Sequence, residues 1–316
     1  MSPLSSSAAL PVPGAPLVVI GDAYIDELYD GRGHVLATFV GGSGVNVATD
    51  LAHLGVPTRL VTSLGDDEGA ERITGHLEEY GIEVIPTRSD AGTGLVKNET
   101  VGGVTRSWFD DAARRRKVRF DEHQLEAIGV APYVVVAGFP FDERKQQRRL
   151  LEAVRQPHNR LLLDANPRAG LIADLDEFRV NFERHASGAL LVHLGTGDAD
   201  LVFSSPIDEA SSDLLDLGAA NILATEGRHG GRWVNRHGID SWVPAVEPDV
   251  QVADTLGGGD AAFAVAVEAV VRDGIPTTPA DASRVLDRAM AFAGATVRRY
   301  GGGVQDVEEL PSGARR

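Results

Sequence analysis

The 316-residue chain has no cysteine. That excludes a disulfide framework, a thiolate zinc site and a cysteine nucleophile, and it fits a reducing, cytoplasmic compartment. Lysine is scarce: Lys97, Lys117 and Lys145 are the only three among 30 basic residues. Aromatic residues make up 6% of the chain. No run approaches the roughly 18 apolar residues of a membrane-spanning helix. The opening "MSPLSSSAALPVPGAP" has no basic start and no sustained apolar core, so it does not read as a secretory signal. The nine histidines never pair as H-x-x-x-H or H-E-x-x-H, and no serine lies in G-x-S-x-G, which removes the support for a zinc protease or a serine hydrolase. G-x-x-x-x-G-K-[ST] is missing, because no lysine follows a glycine, and "VVIGDAYID" carries a single glycine where G-x-G-x-x-G would stand. No 20–50-residue repeat is visible.

What is present is acidic. The formal net charge is −16 and the sequence pI about 4.9. Such a surface repels phosphate backbones, so no nucleic acid is expected as a partner. Hydrophobic residues at 43% and charged residues at 24% describe an ordinary globular protein, long enough for one large α/β domain with an inserted subdomain.

Short apolar runs alternate with helical stretches. Strands are expected at 17–21, 133–138, 160–166, 189–195, 200–204 and 221–227. Continuous apolar strands imply a parallel sheet covered on both faces. Helices are expected at 44–55, 67–81, 143–155 and 279–301, several of them stopping at glycine. The rhythm is that of a doubly wound α/β domain. Two segments, 29–42 and 93–109, instead alternate polar and apolar residues around glycine turns. They read as antiparallel strands, forming either an ordinary edge hairpin or a lid over a site. Tails are expected at 1–16 and 304–316, leaving a domain over 17–303.

The stretch "DTLGGGDAAFAVAVEAVV" ends in a helix that is apolar nearly all round. It starts near Gly258 or Gly259 and is therefore buried. The first N–H groups of a helix have no partner within it, and glycines let an anion approach them. Gly257, Gly258 and Gly259 suit a phosphate cradle. Asp260 is then either an ordinary first-turn carboxylate favoured by the helix dipole, or a base that takes a proton from a hydroxyl attacking the phosphate.

"DTLGGGD" (254–260) resembles the C-terminal D-T-x-G-A-G-D signature of the ribokinase-like (PfkB) carbohydrate kinase family, with Gly258 in place of alanine. "GGSGVNVATDLAHLG" (41–55), "LVTSLGDDEGAERI" (60–73), "LLLDANPR" (161–168) and "LATEGRHGG" (223–231) are similar to further family segments, in family order. The resemblance implies a mostly parallel sheet flanked by helices with a small β-sheet lid, and ATP- and Mg²⁺-dependent phosphorylation of a sugar hydroxyl. It makes Asp260 the base and Gly257–Gly259 the anion hole. It puts Asp26, Gly41, Gly42 and Asn46 on the sugar, and Thr225 and Gly227 beside the nucleotide. Met290 is either against the adenine or simply core. Asp254 would support a loop near a monovalent cation. The family's N-x-x-E is sought after the strand expected at 200–204, where Ser205 takes the Asn position and Asp208, or Glu209, the acidic one. The loss of that asparagine puts metal handling in question. A plain N-terminal helix turn behind Pro206 is the other reading.

Fructokinase- or ketogluconate-kinase-like specificity is favoured over two rivals. One is a nucleoside kinase on the same fold; the other is a non-catalytic sugar-binding relative. Phe39, Lys97, Arg106, Trp108 and Phe109 are lid residues placed either to meet the substrate or to pack the lid. A homodimer through the lid edge is a further expectation.

Overall fold

The computed structural model describes residues 14–101, 104–155, 160–246 and 256–298. Residues 1–13 of the tail expected at 1–16, the whole of the tail expected at 304–316, and Asp254 lie outside the described residues.

Strands β1 (Leu17–Gly21), β4 (Thr58–Leu64), β5 (Glu83–Arg88), β8 (Tyr133–Ala137), β9 (Arg160–Asp164), β10 (Leu191–Gly195), β11 (Asn221–Thr225), β12 (Gly231–Asn235) and β13 (Asp240–Val243) form one nine-stranded sheet. Its order is β13-β12-β11-β10-β9-β8-β1-β4-β5. Neighbours from β11 through to β5 are parallel; β12 and β13 close one edge antiparallel. Strands β2 (Tyr24–Tyr29), β3 (Val35–Gly41), β6 (Gly94–Val101) and β7 (Val104–Phe109) form a separate four-stranded sheet in the order β3-β2-β6-β7.

The two-period of a strand explains why β1 and β8 are almost entirely apolar. Leu17 and Val19 of β1 enter one core, and Val18 and Ile20 enter the other. In β8, Tyr133, Val135 and Ala137 join the first core, and Val134 and Val136 the second. Both faces are covered by helices, so a polar side chain here must find a partner inside the protein, as His193 of β10 does with Asp164 of β9. Full burial of each such side chain stabilises by about 1.5–3 kcal/mol. The first core packs against the helices Ser43–His53, Gly258–Asp273 and Pro279–Thr296; the second packs under Glu122–Val130, Arg144–Ala153, Leu175–Ala186 and Ile207–Leu217.

One expected strand is not a strand. Residues 199–203 form a wide π-helical turn, with Ala199, Val202 and Phe203 buried. Their i, i+3, i+4 spacing is a helical stripe, and a short apolar run does not distinguish it from a buried strand. The expected helices are present, trimmed by a few residues; the last stops at Thr296. The small sheet also takes in residues 24–28, which were not expected there.

His185 is 2% exposed, in contact with the ring of Phe141, and its Nε2 lies 3.2 Å from the Gln147 carbonyl oxygen. Burial pulls its imidazole down to about 4, against the pull of that carbonyl and with help from Arg184. The unfolded chain takes up the proton near pH 6.5 and the folded chain does not. The stability contribution is therefore complete above pH 6.5 and lost as pH falls towards 4, by up to about 3 kcal/mol. Urea melts of wild type and His185→Gln between pH 7 and 4 should show a shallower acid decline in the variant; equal slopes would refute this.

Candidate active site

The sheet reverses its winding between β1 and β8. From β1 the chain builds outwards to β4 and β5, and later returns to pair β8 on the other side. Open α/β sheets form a crevice at the carboxyl ends of the strands at such a point. Asp22 follows β1 there, 5% exposed, accepting from Gly44 N at 3.2 Å. Burial raises its carboxyl, with Arg116 the leading opposing influence.

The Gly258–Asp273 helix points its N-terminus into this crevice. Gly257 precedes it with φ 77°, a left-handed conformation glycine adopts freely. A Cβ on Gly258 would meet Val297 Cγ1 at 3.1 Å, and one on Gly259 would meet His193 Cε1 at 3.2 Å. At both positions the neighbouring side chain would have to give by a few tenths of an ångström. The triplet separates two cavities: Gly257 lines a small one under the lid, and Gly258 and Gly259 line a larger one beside β11.

Asp260, in the first turn, is 2% exposed. Its Oδ1 accepts from Ser43 Oγ at 2.5 Å and Asn166 Nδ2 at 2.8 Å, and its Oδ2 from Asn46 Nδ2 at 2.8 Å. Burial first, then the Asp164 carboxylate, push the Asp260 carboxyl above its ordinary value; Asn46, Ser43 and Arg168 resist. Asn166 reaches inward from a left-handed backbone, φ 29°, with its N–H bonded to Asp164 at 3.2 Å. Ser43, Asn166 and Asp164 were not singled out by sequence. Their signals were inside "GGSGVN" and "DANPR", which give types and spacing but no contact.

The lid-side cavity has about 50 Å³ and is lined by Asp22, Asp26, Asn46, Asn98, Ser107 and Arg168 among others. Asp26 stands within β2, in the lid, rather than on the turn after β1. Its Oδ1 accepts from Asn98 Nδ2 at 2.9 Å, and Asn98 Oδ1 accepts from Ser107 Oγ at 2.6 Å. A Cβ on Gly41 would lie 1.8 Å from Asp26 Oδ2, so only glycine at 41 lets this carboxylate take its place. Gly42 has φ 105°. The Arg168 guanidinium loses by burial but is held charged by Asp260, Asp22, Asp198 and Asp26 around it.

The larger cavity has about 540 Å³ and is lined by Thr225, Gly227, Gly258, Gly259, Met290 and Gly294, with further residues of the same loops. Thr225 is tied to the site's floor. Its Oγ1 lies 3.0 Å from His193 Nε2, while His193 Nδ1 lies 2.9 Å from Asp164 Oδ1. His193 stacks on Phe263 at 5.6 Å. Burial opposes charge on this imidazole, but Asp164, Asp198 and Asp260 outweigh it and raise its pKa.

Asp208 and Glu209 are not brought to this site. They begin the outer Ile207–Leu217 helix, and Asp208 pairs with Arg232, which also holds Asp240. The register expected for them depended on a strand at 200–204. With β10 ending at Gly195, the acid three residues on is Asp198, whose Oδ2 accepts from Gly195 N at 2.8 Å. Burial and Asp164 push the Asp198 carboxyl up to about 6. Among the lid residues, Phe39 is packed, Trp108 is 50% exposed, Arg106 is exposed and Lys97 sits over the Tyr29 ring. Phe109 lines the lid-side cavity.

A family model described as pfkB family carbohydrate kinase matches residues 16–309. The chain belongs to this family. It is a phosphotransferase acting on a sugar hydroxyl, built on the family's ATP-binding, ribokinase-like fold. The chain is 28% identical over 267 residues to a fructokinase of Klebsiella pneumoniae, covering 82% of this chain and 85% of that one. It is 23% identical over 280 residues to the bifunctional protein HldE of Pseudomonas syringae pv. syringae (strain B728a), covering 81% of this chain and 56% of that protein, so it spans little more than half of HldE. In fold it is similar to a putative ribokinase II from E. coli, with TM-score 0.77, 16% identity and coverage of 91% and 94%. A fructokinase with bound ATP from Xylella fastidiosa gives TM-score 0.74 at 19% identity, covering 90% and 93%.

Within this PfkB kinase, Asp208→Ala should leave kcat and both KM values within about twofold of wild type, since exposed ion pairs contribute little. A steady-state assay that found a tenfold loss would return Asp208 to the site. Among the described residues no helix is long and apolar enough to cross a membrane.

Proposed function

We propose that this kinase transfers the γ-phosphoryl group of ATP to a hydroxyl of a sugar held under the lid. One observation carries the reading: Asp260 sits at the head of a buried helix whose glycine N-terminus divides a polar cavity from a nucleotide-sized one. The nucleotide would lie along Thr225, Gly227 and Met290. Its γ-phosphate would face the N–H groups at the Gly257–Gly259 turn, which stabilise charge on the transferring group. The sugar would be held by Asp26, Asn46 and the Gly41–Gly42 turn, with one hydroxyl donating to Asp260. A carboxyl pushed above its usual range by burial and by Asp164 is a stronger base. Arg168, ringed by carboxylates, would oppose the negative charge of the phosphoryl group.

Among the described residues no group of three metal-ligating side chains exists. Mg²⁺ keeps several waters and binds mainly through nucleotide phosphates. Asp198 is the carboxylate proposed to orient those waters. When bound, the ion neutralises phosphate charge.

The polar lining under the lid favours a polyol over a nucleobase, which needs an aromatic or apolar slot. The fructokinase of K. pneumoniae makes ketohexoses the first acceptors to try. The intact Asp260 network argues against a non-catalytic sugar-binding protein. An ATP-consumption assay with Mg²⁺ across sugars and nucleosides tests the reading. Turnover with a sugar supports it; turnover with nucleosides alone, or with nothing, overturns it.

A further inference from the structure

A second cavity of about 540 Å³ lies away from the site, between the carboxyl ends of β4 and β5 and the Arg144–Ala153 helix. Six basic side chains line it: Arg88, Arg115, Lys117, Arg119, Lys145 and Arg149. Only two acidic ones, Asp90 and Glu143, do. This is a chain of net charge −16 with three lysines, and two of the three are here. Like charges gathered on one wall repel each other, and nothing in an acidic protein requires them to gather.

Arg88 is paired with Asp66, Arg115 with Asp111, and Lys117 with Glu143. Among the described residues, Arg119, Lys145 and Arg149 have no acidic partner. The wall is also built to hold its shape. Gln146, 5% exposed, clamps Val118 from both sides, accepting from its N–H at 2.9 Å and donating to its carbonyl oxygen at 3.0 Å. The N–H of Arg119 donates to buried Thr87 Oγ1 at 2.9 Å. Arg149 donates to the Arg119 carbonyl oxygen at 3.0 Å. Buried amides spent on one extended segment fix where Lys117 and Arg119 stand.

We infer that this cleft binds a small polyanion carrying at least two phosphate groups. The volume is that of a small-molecule site. Unpaired guanidinium and ammonium groups at fixed positions match phosphate oxygens through charge-assisted hydrogen bonds. The cleft also touches two connections of the lid: residues 89–93 lead from β5 into β6, and the Asp111–Arg114 turn with residues 115–119 leads out of β7. An anion bridging Arg88 and Arg115 to Lys145 and Arg149 ties those connections to the main domain. It is then an effector acting on the lid, distinct from ATP and from the acceptor.

The test is calorimetric titration of pyrophosphate into Mg²⁺-free protein saturated with ADP, so that the nucleotide cavity is filled. One further site is expected, weakened about tenfold or more in Arg119→Ala/Arg149→Ala and in Lys145→Glu, and unchanged in Asp260→Asn. Undiminished ADP affinity shows that the variants are folded. A parallel titration with a sugar bisphosphate separates an inorganic from an organic source: tighter binding of either, lost in the same variants, supports the site. Absence of binding to the ADP-saturated protein, or binding that the variants do not weaken, overturns it. A cleft that takes only an acidic peptide would appear as the first of these failures.

Discussion

Asp260→Asn should lower kcat by about 10²–10⁴-fold while leaving the fold and the affinity for nucleotide intact. The substitution keeps the shape of the side chain and removes its basicity. The neighbours tolerate it: Asn46 donates to Oδ2, and its own amide oxygen has no bonding partner, so the Asn46 amide turns over to accept. Ser43 and Asn166 continue to donate to an oxygen at the Oδ1 position. Burial and Asp164 raise the wild-type carboxyl, so the acid limb of kcat/KM should fall above the ordinary aspartate range. The sign is that of a base: activity is lost as pH drops through the raised pKa, and the limb disappears in the variant. Single-turnover rates and a pH profile read both effects. A variant with wild-type kcat would remove Asp260 from the chemistry and leave it as a first-turn carboxylate.

Gly41→Ala should behave like Asp26→Ala, raising KM for the sugar by about 10- to 100-fold with little change in KM for ATP. The reason is steric. The added methyl would stand 1.8 Å from Asp26 Oδ2, well inside contact distance, so the carboxylate must leave the pocket or the strand must shift. Hydrogen bonds from a charged group contribute about 1.5–3 kcal/mol each, and 1.4 kcal/mol is tenfold in affinity. The Asn98–Ser107 pair that steadies Asp26 lies on two other lid strands, so the defect should be confined to the acceptor side. Initial-rate kinetics with both substrates varied distinguish this from a general loss of stability, which would lower the active fraction and leave both KM values unchanged. A wild-type KM for sugar in both variants would sink the assignment.

The doubly wound core was legible because burial on both faces leaves β1 and β8 no polar position, and such strands are conspicuous. The glycine triplet and Asp260 were legible for a similar reason: a buried helix must begin somewhere, and three glycines before a carboxylate mark the start. The segment 199–203 was misread because an apolar run of five residues carries too little periodicity to separate a helical turn from a strand. Counting from the observed end of β10 instead of from 200–204, the acid three residues on is Asp198, the residue proposed here in place of Asp208. Where local physics is strong, residue order by itself determined the outcome: the parallel sheet, the alternating strands of the small sheet, and a buried helix that starts within the glycine triplet. Only the tertiary structure decided which polar groups meet. Asn166 and Ser43 reach Asp260 from 94 and 217 residues away, and His193 joins Asp164 to Thr225 across three parallel strands. Six basic residues scattered from 88 to 149 become one cleft by the same means. Contacts of that range depend on strand order and crossover, and no local pattern of residues encodes them.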